Sequence, residues 1–188
     1  GHPEHLFPNG NGCHKSKSGF VSNDEYELEA DHFAASLLMP KPLFIPALRE
    51  SGQGFEAIKA LADLCQTSLT STAIQYAKLS EDPVAVIVSS DNKIDYCFMS
   101  ETIKDYPGIK WIRKNELLPT NVYTHIFNQN KDNITENKEE QRTSLLSDWF
   151  EGTSDIEVNE DIAGLGNYGK TLTVLFADEI PEEEHEDD

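Results

Sequence analysis

The feature that most narrows the fold of this chain is a change of hydrophobic period at Asp82-Pro83. Upstream, apolar residues recur three and four positions apart. Ala30, Phe33, Ala34, Leu37 and Leu38 form one such series, Phe55, Ile58, Leu61, Ala62 and Cys65 a second, and Ala73, Ile74, Tyr76 and Ala77 a third. That spacing predicts helices with one buried face. Leu43-Phe-Ile-Pro-Ala-Leu reads as a short helix or turn, and Ser51-Gly-Gln-Gly as a break. Downstream of Pro83 the period changes to that of a sheet. Pro83-Val-Ala-Val-Ile-Val-Ser is rich in β-branched residues, Ser90-Asp-Asn-Lys has turn chemistry, and Ile94-Asp-Tyr-Cys-Phe-Met resumes as a strand, which together predict a hairpin. Residues 109–113, 145–150 and 171–176 are predicted strands, 122–127 a short helix, and 128–141 a long polar connection. The expected class is α+β: helices first, then a mainly antiparallel sheet, without βαβ alternation. The expected division is residues 1–82, 83–177 and a tail, 178–188.

Charge sharpens that division. The net charge is −19, and the last eleven of the 188 residues carry eight acids and no Lys or Arg, leaving −11 for the rest. A like-charge run of this kind is expected to be a solvated, disordered tail. Both parts are acidic, which disfavours binding to nucleic acid or to anionic membranes. Cys13, Cys65 and Cys97 are odd in number and widely spaced, with no C-x-x-C, so neither a disulfide framework nor a zinc ribbon is expected. No apolar run approaches the ~18 residues of a membrane span, and the cytoplasm is the expected compartment. Asn133-Ile-Thr135 matches a glycosylation sequon, a pattern short enough to arise by chance.

Three patterns invite chemistry and are better read as structure. His2, His5, Cys13 and His14 lie in a Gly-, Pro- and Asn-rich stretch, where Pro3 separates two histidines only three apart. An exposed loop fits them better than a metal site. The helices around residues 55–65 and 73–77 have helix-turn-helix proportions, but the second offers only Lys78 to a groove, so packing is expected instead of DNA reading. Gly164-Leu-Gly-Asn-Tyr-Gly169-Lys170-Thr171 satisfies both G-x-G-x-x-G and the P-loop pattern. A P-loop needs a strand before it and a helix after it to aim amides at phosphate. Here a strand, Leu172-Thr-Val-Leu-Phe, follows, and the upstream Glu157-Val-Asn-Glu-Asp-Ile is short and acidic, so a glycine-rich hairpin turn is expected.

The fourth pattern is less easily set aside. Residues 27–40 read E-L-E-A-D-H-F-A-A-S-L-L-M-P, with Ser22 and Glu25 at capping-box spacing before them and Met39-Pro40-Lys41-Pro42 to end the helix. At about 100° per residue, Glu25, Glu29 and His32 fall on the polar side. Glu27 falls between Ala34 and Leu38, inside the apolar stripe, and Asp31 at its margin. An ionised carboxylate there must be paired, bound to a metal, or close enough to the helix end to reach water.

E-x-E-A-D-x-F-A-A-x-L-L-M-P closely resembles the second motif of the ImmA/IrrE-type metallo-endopeptidases, E-x-x-A-x-x-F-A-x-x-L-L-M-P. The resemblance implies a zincin-like peptidase domain in which Glu27 is the third zinc ligand and Asp31 orients a ligating histidine. In that family an H-E-x-x-H helix supplies two ligands and the general base, and no H-E-x-x-H occurs in this sequence. Residues 1–82 are accordingly expected to be the helical remainder of the peptidase domain of a longer parent, with Gly1 a cut placed just after the catalytic helix. Zinc is expected in that parent and not in this chain alone, which is expected to be inactive. The family's typical substrate, a helix-turn-helix transcriptional repressor cleaved in response to stress or a signal, would be the protein partner. The sheet-rich half resembles, more weakly, the GAF-like sensor domain found C-terminally in some members. The alternative reading is a noncatalytic sensor or interaction module that binds a small ligand or a regulatory partner.

Overall fold

The computed structural model describes residues 34, 35 and 37–177. They form a mixed α+β structure on an open, five-stranded antiparallel sheet. Three helices come first: α1, Lys41–Glu50, α2, Gly54–Cys65, and α3, Leu69–Leu79. Pro40 and Pro42 open α1, where a missing N–H is harmless. Gln66, in left-handed conformation, closes α2 as its amide and that of Thr67 return to carbonyls of the last turn. Ser68 caps α3 by accepting from Ser71 N–H at 3.1 Å.

The sheet follows as a hairpin, β1, Val84–Ser90, and β2, Lys93–Met99, then β3, Glu139–Leu145, β4, Glu157–Gly164, and β5, Thr171–Phe176. Its order is β2-β1-β5-β4-β3, with every pairing antiparallel. Between β2 and β3 runs a crossover carrying α4, Glu101–Lys104, α5, Tyr123–Gln129, and α6, Lys131–Thr135. A last short helix, α7, Leu146–Trp149, follows β3 directly.

Strand alternation sorts the core into two layers. Val84, Val86 and Val88 of β1, Ala163 of β4, and Leu172 and Val174 of β5 pack against Phe44, Leu48, Phe55, Ile58, Leu61, Tyr76 and Ala77 of α1–α3. On the opposite face Ala85, Ile87, Val158 and Leu175 pack against Ile103, Leu118, Val122, Leu146, Trp149 and Phe150. Residues 41–79 and the sheet therefore share one core, and Asp82-Pro83 marks where helix gives way to strand within it.

The stripes predicted for α2 and α3 are the buried ones, apart from Cys65, which is half-buried. Of the stripe before Pro40, Ala30 and Phe33 lie outside the described residues, and the rest is not buried. Ala34 is exposed, and Leu37 and Leu38 are 68% and 51% exposed, whereas Ala35 and Met39 are buried. The face that turns inward is the one meeting α2 and α3. Met39 Sδ accepts from Thr67 Oγ1 at 3.8 Å and its carbonyl from Gln75 Nε2 at 3.4 Å.

Two predicted strands and two stretches predicted to lack one are corrected. Residues 109–113 are irregular: Lys110 N–H donates to Glu151 C=O, while Ile109 and Ile112 lean on the second core layer without a sheet partner. Residues 145–150 are mostly α7, with Leu146, Trp149 and Phe150 buried at helical spacing and only Leu145 in a strand. The polar connection 128–141 contains α6 and the start of β3. The acidic stretch from Glu157, expected to be no strand, is β4, paired on both sides.

Candidate functional site

The glycine-rich loop is a hairpin turn. Gly164 pairs with Thr171 across β4 and β5, and the chain between them makes one 3₁₀ turn, Gly166–Tyr168, before Gly169 at φ 64°. A Cβ on Gly164 would lie 2.3 Å from Asn133 C=O, so this glycine lets α6 approach the strand. Lys170 is already engaged, with Asp95 at 3.1 Å and over the Tyr96 ring at 5.6 Å. The loop opens no helix that could present amides to a phosphate.

Adjacent acids of β4 tie helices to opposite faces of the sheet. Glu160, fully buried, accepts from Thr124 N–H at 2.6 Å, Thr124 Oγ1–H at 2.7 Å and Tyr123 N–H at 3.4 Å, meeting the free amides that start α5. Thr124 Oγ1 also lies 2.7 Å from Thr173 Oγ1. Asp161, pointing the other way, accepts from Phe55 N–H at 3.0 Å at the start of α2. Burial raises the Asp161 carboxyl above its ordinary pKa of 3.8, with Glu56 and Glu139 adding to the rise and the Phe55 amide and Lys59 opposing it. Next to these lies Asn128, whose amide donates to Ser89 Oγ and Asp91 C=O and accepts from Thr171 Oγ1. These buried groups are satisfied by the protein itself, which fits docking and leaves little for a ligand.

Openings remain elsewhere: a cleft of about 250 Å³ beside Leu48, Gly52 and Leu79, and a groove of about 950 Å³ between the irregular segment after Ile109 and α7. The segment is held beside β2, since Ile94 exchanges backbone bonds with Glu116 and Asn115, and Leu118 N–H donates to Asn92 C=O. Trp111 and Leu117 stand on the rim, 58% and 70% exposed, and Ile94 and Trp149 form part of the wall. Lys110 and Glu151 pair across it at 2.6 Å, a contact that raises the ammonium pKa and lowers the carboxyl pKa. Trp149 is 3% exposed, yet its indole N–H has no acceptor. An unmet buried donor costs about 1–3 kcal/mol, so such a group invites a partner. No single-sequence pattern points to this groove. The segment that forms its rim, with Trp111 two residues from Arg113, reads as a strand in the sequence.

Glu27 and Asp31 lie outside the described residues, as do His2, His5, Cys13, His14 and the acidic tail. Among the described residues no group of three His, Cys, Asp or Glu side chains could hold a metal ion. Nor is there a poised thiol among them. Burial pushes Cys97 up to about 12 and also raises Cys65, the opposite of what a nucleophile needs. No helix among the described residues is long and apolar enough to cross a membrane. No protein-family model matches the chain, and no curated protein matches it.

Proposed function

We propose that this chain is the C-terminal part of a zinc-dependent endopeptidase of the ImmA/IrrE type, with a GAF-like sensor portion built on the sheet. The observation that carries the reading is the placement of Met39, the penultimate residue of the E-x-E-A-D-x-F-A-A-x-L-L-M-P stretch. It is 1% exposed and belongs to the same core as Val84, Val86 and Val174 of the sheet. Met39 thus fastens the end of that stretch to the strands, a route by which an event at the sheet can reach it. The strand order β2-β1-β5-β4-β3, with long crossover cover on one face, supports the GAF-like assignment.

In this reading Glu27 provides one ligand to zinc, Asp31 orients a histidine of the parent's H-E-x-x-H helix, and the protein works in the cytoplasm on a helix-turn-helix repressor. Zinc, when bound, lowers the pKa of its water so that a hydroxide is available near neutral pH. A single carboxylate does not make a catalytic zinc site, so the chain alone is inactive. The test joins this chain to H-E-x-x-H in its parent. Glu27→Gln is expected to abolish repressor cleavage and reduce bound zinc, and Asp31→Asn to weaken zinc about 10- to 100-fold. Undiminished cleavage by the Glu27→Gln protein would overturn the reading.

A second reading, a noncatalytic sensor module, is favoured by one specific observation: the groove beside α7 with its unpartnered Trp149 N–H. The two readings share the sensor role of the sheet and differ in whether cleavage follows.

A further inference from the structure

We propose that the groove between the segment after Ile109 and α7 binds a small molecule in which a flat aromatic ring carries an anionic group, a carboxylate or a phosphate. The proposal rests on the sensor role just described and is independent of the peptidase role. Most of the hydrogen-bonding side chains that line the groove are already engaged. Lys110 is paired with Glu151. Ser147 donates to Asp155 at 2.6 Å. Asp148 accepts from Asn121 Nδ2 and from Leu145 N–H, and Glu116 accepts from Arg113 N–H at 3.0 Å.

Each acid of the lining is thus engaged by a donor of the protein. Three donors are left with no side-chain or backbone acceptor among the described residues: the Arg113 guanidinium and the Trp111 indole N–H, both on exposed residues, and the Trp149 indole N–H, sealed inside the wall. All three are donors, so a ligand that completes the groove must bring acceptors, first of all to Arg113. A guanidinium presents its N–H groups as a planar fork suited to carboxylate or phosphate oxygens. Trp111, largely exposed at the rim, offers a ring face on which another ring can stack, and Leu117 and Ile94 extend the apolar surface. The volume is ample for one ring system with its anionic group.

The test is calorimetric titration of the 188-residue chain with 2-naphthoate, adenosine 5′-monophosphate and the neutral alcohol 2-naphthalenemethanol. Saturable one-to-one binding of at least one of the two anions is expected, and the tighter one identifies a carboxylate or a phosphate source. Arg113→Ala is expected to weaken that binding at least about tenfold, as loss of a charge-assisted pair should. Trp111→Ala removes the stacking face and is expected to weaken it severalfold. Equal binding by the Arg113→Ala chain, or binding of the neutral alcohol in preference to both anions, overturns the anion while keeping the groove as a ligand site. No saturable binding by any of the three probes overturns the proposal and the sensor role of the groove together, and leaves the Glu27 cleavage test untouched.

Discussion

The two faces of the sheet are covered by different means. On one, three helices lay continuous apolar stripes onto β1, β4 and β5, and the packing is regular. On the other, a crossover of short helices and irregular backbone covers the strands, and it is fastened by buried polar contacts as much as by apolar ones. Among the described residues the buried polar atoms left without partners, His125 Nδ1, Ser144 Oγ and Trp149 Nε1, belong to residues 125–149 on the crossover, β3 and α7. The groove lies there as well. The difference separates scaffold from site: among the described residues the helical face has only partnered buried polar atoms and a cleft of about 250 Å³ beside α1, while the crossover face has unpartnered polar atoms and the wider groove. The comparison can be broken at β4, where neighbouring acids serve opposite faces.

The largest effect is expected at Glu160. Its carboxylate meets two backbone amides and a hydroxyl at the start of α5, and removing it takes the side-chain acceptor from both amides, while the hydroxyl keeps Thr173. Hydrogen bonds to a charged group contribute about 1.5–3 kcal/mol each, without full additivity, so Glu160→Ala is expected to lower stability by about 3–4 kcal/mol in urea unfolding. A loss below about 1 kcal/mol would mean that the crossover face does not depend on polar fastening, and the contrast between the faces would fail.

Asp161 is expected to matter less, and in a pH-dependent way. It makes one bond to the start of α2, a helix already held by Phe55, Ile58 and Leu61, and losing a cap of this kind costs about 1 kcal/mol. Its folded pKa is raised chiefly by burial, so the native state holds this proton more tightly than the unfolded chain does. Stability from this group therefore falls as pH rises from the ordinary value of 3.8 through the raised one. Asp161→Asn keeps an acceptor for Phe55 N–H and removes the titration. The stability of the unmodified chain relative to this variant is expected to increase as pH is lowered through that range. A relative stability that instead decreases would mean that the amide and Lys59, not burial, dominate the site.

The same contrast explains what could be read from the sequence. The helices α2 and α3 and the β1–β2 hairpin are legible because local period and burial agree: Phe55, Ile58 and Leu61 repeat at helical spacing, and Val84, Val86 and Val88 alternate with Ala85 and Ile87. β4 was hidden because Glu160 and Asp161 look like surface residues until the helix starts that consume their charge are in place. β3 was hidden because an edge strand with little but Ser144 buried carries no apolar alternation. Leu146, Trp149 and Phe150 had helical spacing, but their run of large residues resembled a strand. The stripe of Leu37 and Leu38 predicts a buried face that the structure leaves exposed, because a helical wheel identifies an apolar face without identifying what covers it. Of the candidate site, wheel and motif together point to Glu27, while the groove depends on irregular backbone and is visible only in three dimensions.

The smallest effect is expected at the groove rim, and its smallness is informative. Trp111 is a large residue, and the loss on Trp→Ala in a packed core is about 3–5 kcal/mol. At 58% exposure, beside a segment that stays in place through the backbone bonds of Ile94, Asn115 and Glu116, Trp111→Ala is expected to change stability by less than about 0.5 kcal/mol. Urea midpoints of the two proteins should nearly coincide. A loss above about 1.5 kcal/mol would place Trp111 in the core of the crossover face, and the exposed ring could no longer be counted as surface held open for a ligand. Near-coincidence, joined to weakened ligand binding by the same variant, would instead separate stability from recognition within one side chain, as the comparison of the two faces requires.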